Sequence, residues 1–198
     1  GTVTLYAWDE TDPMLKAWMK AFPGTVQPKS EIPAGVLAHM RYPEDLFKVQ
    51  RDILADYHVQ NPDTFYQKSD KWVVPDDPNR KQLKQPPYRL SVAPSPGEDP
   101  VFSLTSVYVP NKRNNLATFM SVGADPTKPD SYGKFNMLVL PKDNAVSGPS
   151  QIANTMNNDQ TVSEKVLPYT RSNAKAVPGN LLTLPVGGAV MVAVLHTT

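Results

Sequence analysis

Cysteine is missing altogether from the 198 residues. Disulfides, thiolate nucleophiles and cysteine zinc sites are excluded together. An excess of charge of either sign is missing too. Twenty Lys and Arg face 19 Asp and Glu, which leaves a formal net charge of +1. A chain so balanced projects no field of one sign, so a broad nucleic-acid face and a polybasic membrane anchor have no support. Long hydrophobic runs are scarce. The longest, Leu181 to Leu195, is broken by Thr183, Pro185 and Gly187-Gly188. It falls short of the ~20 residues that a spanning helix needs. No signal peptide opens the chain, and Gly1 stands where an initiator Met would, so the chain reads as an excised fragment or a processed chain.

The usual catalytic signatures are equally thin. No Walker A pattern, GxGxxG, HExxH or GxSxG occurs. The three histidines, His39, His58 and His196, have no metal spacing and read as structural or surface residues. Ser147-Gly148-Pro149-Ser150 reads as a loop leading to a helix, and Gly187-Gly188 as a tight turn. Asp76-Asp77 and Glu98-Asp99 lie beside prolines and read as solvated turn acids. The acids that do gather are Asp9, Glu10 and Asp12, between a strand end and a helix start. Their oxygens could converge on Ca²⁺, or they could cap the helix and face its positive end. No other cofactor is suggested. Trp72 and Tyr132, at the ends of elements, are candidates to line a recognition groove.

What the sequence does contain is apolar content of 40%, charged content of 20% and 21 dispersed prolines. This suits a folded chain of short elements joined by fixed turns. Val3 to Trp8 alternates as a strand. Thr11-Asp12-Pro13 opens a helix carrying Met14, Leu15, Trp18, Met19 and Phe22, which Pro23-Gly24 ends. Ser30-Glu31-Ile32-Pro33 opens a second. The third, from Pro43-Glu44-Asp45, carries Leu46, Val49, Ile53 and Tyr57 on one stripe, widened by Phe47 and Leu54. Glu44 and Asp45 suit the positive end of its dipole, and Arg41 stands ready to pair with either. Asn61-Pro62-Asp63 opens a short fourth.

From Trp72 the period becomes two. Strands are expected at Lys71 to Val74, Tyr88 to Ala93, Val101 to Val109, Leu116 to Val122 and Phe135 to Leu140. The loop Pro94 to Pro100 makes a hairpin of the second and third. Asp76 to Pro87 reads as an exposed, mobile loop. Gln151 to Met156 and Val162 to Leu167 form a late helical pair. Leu181 to Leu184 and Ala189 to Leu195 close the chain as strands. The fold class is α+β: an antiparallel sheet with a helical N-terminal segment and a short late helical pair. A single domain is expected, helix-rich over 1–70 and strand-rich over 88–198, with its hinge near 70–87. No internal repeat or coiled-coil heptad pattern is present.

Five stretches carry a family resemblance. They are Gly1-Thr2-Val3-Thr4-Leu5-Tyr6, Lys29-Ser30-Glu31-Ile32-Pro33 and Arg41-Tyr42-Pro43-Glu44-Asp45-Leu46-Phe47-Lys48-Val49-Gln50, then Phe102-Ser103-Leu104-Thr105-Ser106 and Asn180-Leu181-Leu182-Thr183-Leu184-Pro185-Val186-Gly187-Gly188. Through them the chain resembles a family of uncharacterised bacterial multi-pass membrane proteins, known especially from actinobacteria. The resemblance implies a place in the large extracytoplasmic region that follows the membrane helices. It implies no catalytic set, substrate or cofactor. After Gly187-Gly188 the family continues with a glycine and a strand containing Tyr and Glu, whereas this chain reads Ala189-Val190-Met191-Val192-Ala193, leaving the pairing of the last strand open.

The leading functional expectation is an extracytoplasmic interaction or structural module at the cell membrane. Its partners would be the rest of its own membrane-embedded polypeptide, an envelope protein or an envelope polymer. The alternatives are a hydrolase of an envelope polymer and a cap or gating domain of a transporter-like membrane part.

Overall fold

The computed structural model describes residues 1–93, 97–143, 145–170, 177–186 and 189–197. The expected Gly187-Gly188 turn, residues 94–96 of the hairpin loop and Asn144 lie outside these. The chain divides into two compact units, Gly1–Arg41 and Tyr42–Thr198. The division falls at the Arg41–Tyr42 boundary, not at the hinge expected near 70–87, because the sheet gathers its strands and one long helix from both sides of that stretch.

The first unit is a small parallel βαβ arrangement. Strand β1 (Leu5–Tyr6) pairs in parallel with β2 (Val26–Gln27) across helix α1 (Pro13–Ala21). Asp12 caps α1 through the Leu15 amide at 2.9 Å, with Pro13 in the first turn. A 3₁₀ turn (Lys29–Glu31) and helix α2 (Ala34–His39) complete it. β2 is a strand of only two residues, too short for alternation to reveal it. No residue of α1 is buried, and Trp18 stacks on Phe22 with ring centroids 4.9 Å apart.

The second unit opens with helices α3 (Glu44–Tyr57) and α4 (Pro62–Gln67). Asn61 caps α4 through Thr64 N, and Lys68 ends it in the left-handed region at φ 53°. Strands β3 (Trp72–Val73), β4 (Asp76–Asp77), β5 (Arg80–Lys84), β6 (Tyr88–Val92), β7 (Val101–Pro110), β8 (Thr118–Gly123) and β9 (Phe135–Val139) follow. Helices α5 (Pro149–Asn158) and α6 (Gln160–Thr170) precede a last hairpin, β10 (Val177–Val186) and β11 (Ala189–Thr197). The expected antiparallel sheet and late helical pair are therefore present, and the fold is α+β.

Within the stretch Asp76 to Pro87, expected as a loop, residues 76–84 form the β4–β5 hairpin with Asp76 opposite Lys84. Asp77 is buried there rather than solvated, accepting from Asn79 N and facing the Arg80 guanidinium at 3.2 Å. Buried Gln85 anchors the hairpin, donating from its amide to the Leu181 carbonyl.

β7 is the spine of the sheet. One edge takes β6 over Val101–Thr105 and β3 at Val109–Pro110; the other takes β8, which in turn pairs with β9. Every residue from Ser103 to Val109 and from Thr118 to Gly123 is buried. A strand buried on both faces cannot alternate apolar with polar, which is why Ser103, Thr105, Ser121 and Thr118 share the core with the hydrophobes. On one face Leu104, Tyr108, Met120 and Val122 pack with Phe47 and Ala55 of α3. On the other, Val107, Phe119 and Leu116 meet Leu184 of β10 and Val190 of β11. The last strand is thereby settled: Ala189 pairs with Val186, and the ladder runs to Thr197 opposite Val177 with one bulge.

Gly123 ends β8 where a side chain would strike the backbone carbonyl of Ser131. Gly35, in α2, faces open space. Gly123→Ala is expected to destabilise by about 1–3 kcal/mol through forced displacement of that backbone. Gly35→Ala is expected to stabilise by about 0.5–1 kcal/mol through the unfolded chain. Urea unfolding monitored by circular dichroism tests the opposite signs.

Candidate interaction surface

The helix that positions the surface is α3. Its first turn carries Glu44 and Asp45 at the positive dipole end, behind Pro43, which cannot continue a helix backwards. Lys48 meets Glu44 at 3.0 Å from the next turn, and Arg89 of β6 meets it at 2.9 Å from the sheet. The Arg41 guanidinium, suggested by the sequence as a partner for this turn, donates to the Ala38 and Met40 carbonyls.

The rotation of α3 about its axis is set by its buried arc, Phe47, Arg51 and Ala55, with half-buried Leu54 beside it. Tyr108, wholly buried, donates its hydroxyl to the Arg51 carbonyl at 2.6 Å. The Arg51 guanidinium donates through Nη1 to the Gln85 carbonyl at 3.1 Å and to Ser106 Oγ at 3.3 Å. Its Nε is buried with no hydrogen bond, and Asp52 Oδ1 lies 4.0 Å away. Burial pulls the guanidinium down from its ordinary value, against the charge of Asp52, and pushes the Tyr108 phenol up, against the charge of Arg51.

With that arc inward, the stripe expected to be core points out. Leu46 is 47% exposed, Val49 57%, Ile53 51% and Tyr57 71%. This corrects the expected burial of the stripe: α3 carries two apolar arcs, and the one containing an arginine is the buried one. Tyr57 extends the surface toward α4, with its ring 5.5 Å from Phe65, which meets the exposed Tyr66 edge-on.

The other candidate residues go elsewhere. Trp72 is in the core, with His58 stacked on it at 3.5 Å and Tyr108 at 5.5 Å. Both His58 ring nitrogens lie 3.0 Å from carbonyls, those of Leu54 and Asp70. Tyr132 is half-buried against Tyr42, ring to ring at 5.7 Å. Both aromatics expected at a groove thus serve the core cluster: Trp72 opens β3, and Tyr132 lies in the connection between β8 and β9. Asp9 accepts from Thr11 N and Oγ, Glu10 from the Lys29 amide, and Asp12 from the Leu15 amide. Hydrogen bonds from Thr11 hold the Asp9 carboxyl below its ordinary value. Among the described residues no three such groups are arranged to hold a metal ion. A small cavity beside the β4–β5 turn is lined by Pro78, Ala153, Met156, Leu181 and Val194, with Asn79 and Asn157 as its polar groups. Gly148 precedes α5 as its N-cap, and its amide donates to Gln151 Oε1. Among the described residues no helix is long and apolar enough to cross a membrane.

An α+β unit built on a doubly covered sheet, with an apolar helix face in solvent, is the class that the geometry defines. The chain belongs to the uncharacterised protein family UPF0182, whose profile matches residues 1–169. It is 54% identical over 191 residues to a UPF0182 protein of the actinobacterium Nocardioides sp. (strain ATCC BAA-499 / JS614), covering 96% of this chain and 19% of that protein. A UPF0182 protein of Thermobifida fusca is 50% identical over 194 residues, again with 96% and 19% covered. One from Streptomyces coelicolor is 45% identical over 192 residues, with the same coverage. The chain thus spans about a fifth of the length of the curated relatives it matches. No solved structure matches it.

Glu44 fastens α3 to the sheet through charge, so its effect depends on pH. The hydrogen bond from Lys48 and its charge, then the contact with Arg89, hold its carboxyl below the ordinary 4.5. A depressed folded value means that the contribution is fully present above the ordinary value and fades as pH falls through the folded one. Wild type is expected to exceed Glu44→Gln in stability at pH 7. The gap should close on acidification below pH 4.5, read from urea midpoints across the series.

Proposed function

We propose that the chain is an extracytoplasmic interaction module of a longer, multi-pass membrane protein, working by contact and not by chemistry. The observation that carries this reading is the apolar stripe Leu46, Val49, Ile53 and Tyr57, left in solvent on a helix whose other face is fully used. Side chains of this kind in a continuous row mark a surface that meets another surface. Two further facts support it. The curated relatives are about five times as long, which supplies ample chain for such a surface to meet. The balanced charge suits a contact made by shape and apolar burial.

Location is the part of the reading that an experiment reaches first. The chain has no cysteine, so a single one introduced at the exposed Glu98 is a clean reporter once any others in the whole polypeptide are removed. Glu98→Cys in intact cells is expected to react with a membrane-impermeant maleimide before lysis. Reaction only after lysis overturns the extracytoplasmic side and directs the search to cytoplasmic partners.

A further inference from the structure

The stripe on α3 has a spacing and a margin that specify what covers it. Leu46, Val49 and Ile53 follow one another at intervals of three and four residues, and Tyr57 adds four more. The row is a single seam about 16 Å long, the contact line of one helix on another. In heptad terms Leu46 and Ile53 stand at a and Val49 at d. Asp45 and Asp52, both exposed, then occupy the two g positions beside the seam. The e positions are Gln50 and Tyr57, which carry no charge; the second d position is Asp56, so after Ile53 the apolar row leaves the strict heptad and continues on Tyr57. Lys48 falls at c, away from the seam, where it serves Glu44 and Asp45. Asp56 is taken by Lys71 at 2.7 Å. One margin of the seam is therefore acidic and the other neutral.

We infer that this seam receives an amphipathic helix from the part of the longer polypeptide outside these 198 residues, with Lys or Arg seven positions apart facing Asp45 and Asp52. The inference rests on the interaction-module reading and names the partner of that surface. Two other occupants fit less well. A second copy of α3 brings only Asp at g and only Gln and Tyr at e, so in neither parallel nor antiparallel pairing does the partner add a cation to the one that each carboxylate has on its own helix, Lys48 for Asp45 and Arg51 for Asp52. An anionic lipid surface meets the two carboxylates with like charge. About four-fifths of the length of the curated relatives lies outside the matched segment, and that is the stretch from which such a helix would have to come.

Ile53→Cys tests occupancy, because the site is half-exposed and its substitution leaves the core intact. Maleimide reactivity is compared in lysed cells between the whole polypeptide and the 198-residue chain. The whole polypeptide is expected to react roughly tenfold more slowly, since a covered seam excludes water. Equal rates overturn the inference, whether fast in both or slow in both. Lysis removes any dependence on membrane side, so this result is independent of the Glu98 measurement. A benzoylphenylalanine at Val49 then identifies the occupant. A crosslink to a Lys- or Arg-bearing helix beyond the 198 residues is the expected product. A dimer of two Val49 sites, a lipid adduct or a crosslink within the 198 residues overturns it. The paired change Asp45→Lys and Asp52→Lys is expected to lower the crosslink yield several-fold, and an undiminished yield overturns the basic margin.

Discussion

The second unit depends on where one buried arginine can go. Arg51 lies in the middle of α3 with its guanidinium under the helix, donating to the Gln85 carbonyl and Ser106, while its own carbonyl accepts from Tyr108. Taking a charge out of water is costly, and the cost is tolerated only where hydrogen bonds replace the lost hydration. Those bonds come from β7 and from the segment joining β5 to β6, so they fix the helix in rotation as well as in position. Turning α3 by roughly a third of a turn would bury the Leu46 stripe. It would also release Phe47 into solvent and break all three contacts. The exposed stripe is thus a consequence of the arginine's burial and not a failure of packing.

That rotation gives the helix two different jobs. Phe47 and Ala55 close the sheet, while Leu46, Val49 and Ile53 remain available to a surface outside the unit. Glu44 strengthens the arrangement at the helix start by drawing Arg89 from β6 and Lys48 from the next turn. A rigid helix held from below presents its upper side chains in fixed order, which lowers the entropy cost of receiving a partner. The curated relatives are about five times the length of this chain, so most of the polypeptide lies outside the helix's own unit.

Much of the fold was legible because local chemistry and global packing agree. Asp12-Pro13 and Asn61-Pro62 open helices where capping rules place them. The β6–β7 hairpin follows from turn residues between two runs of alternating pattern. Three things were not legible, each for a physical reason. β2 is two residues long and has no period to detect. The β4–β5 hairpin is polar outside and is held by Asp77 and Gln85, whose burial only tertiary contacts create. The face of α3 was read from hydrophobicity, which assigns arginine to water, whereas here hydrogen bonds from distant strands draw Arg51 inward. The packing of Trp72 and Tyr132 on the core cluster was hidden for the same kind of reason: only tertiary contacts decide whether an aromatic closes a core or lines a groove.

The double cover of β7 and β8 has a consequence for the order of events during synthesis. The face carrying Phe119 and Val107 is sealed by Leu184 and Val190, some seventy residues later in the chain. A ribosome therefore releases the central sheet, its first face already matched to α3, well before the hairpin that shields its second face exists. Long-range closure of this kind is slow and leaves apolar strand surface open to other chains. For this protein the vulnerable interval lies between the appearance of β9 and the arrival of β11. The late helical pair occupies that interval, emerging while the second face of the sheet is still open.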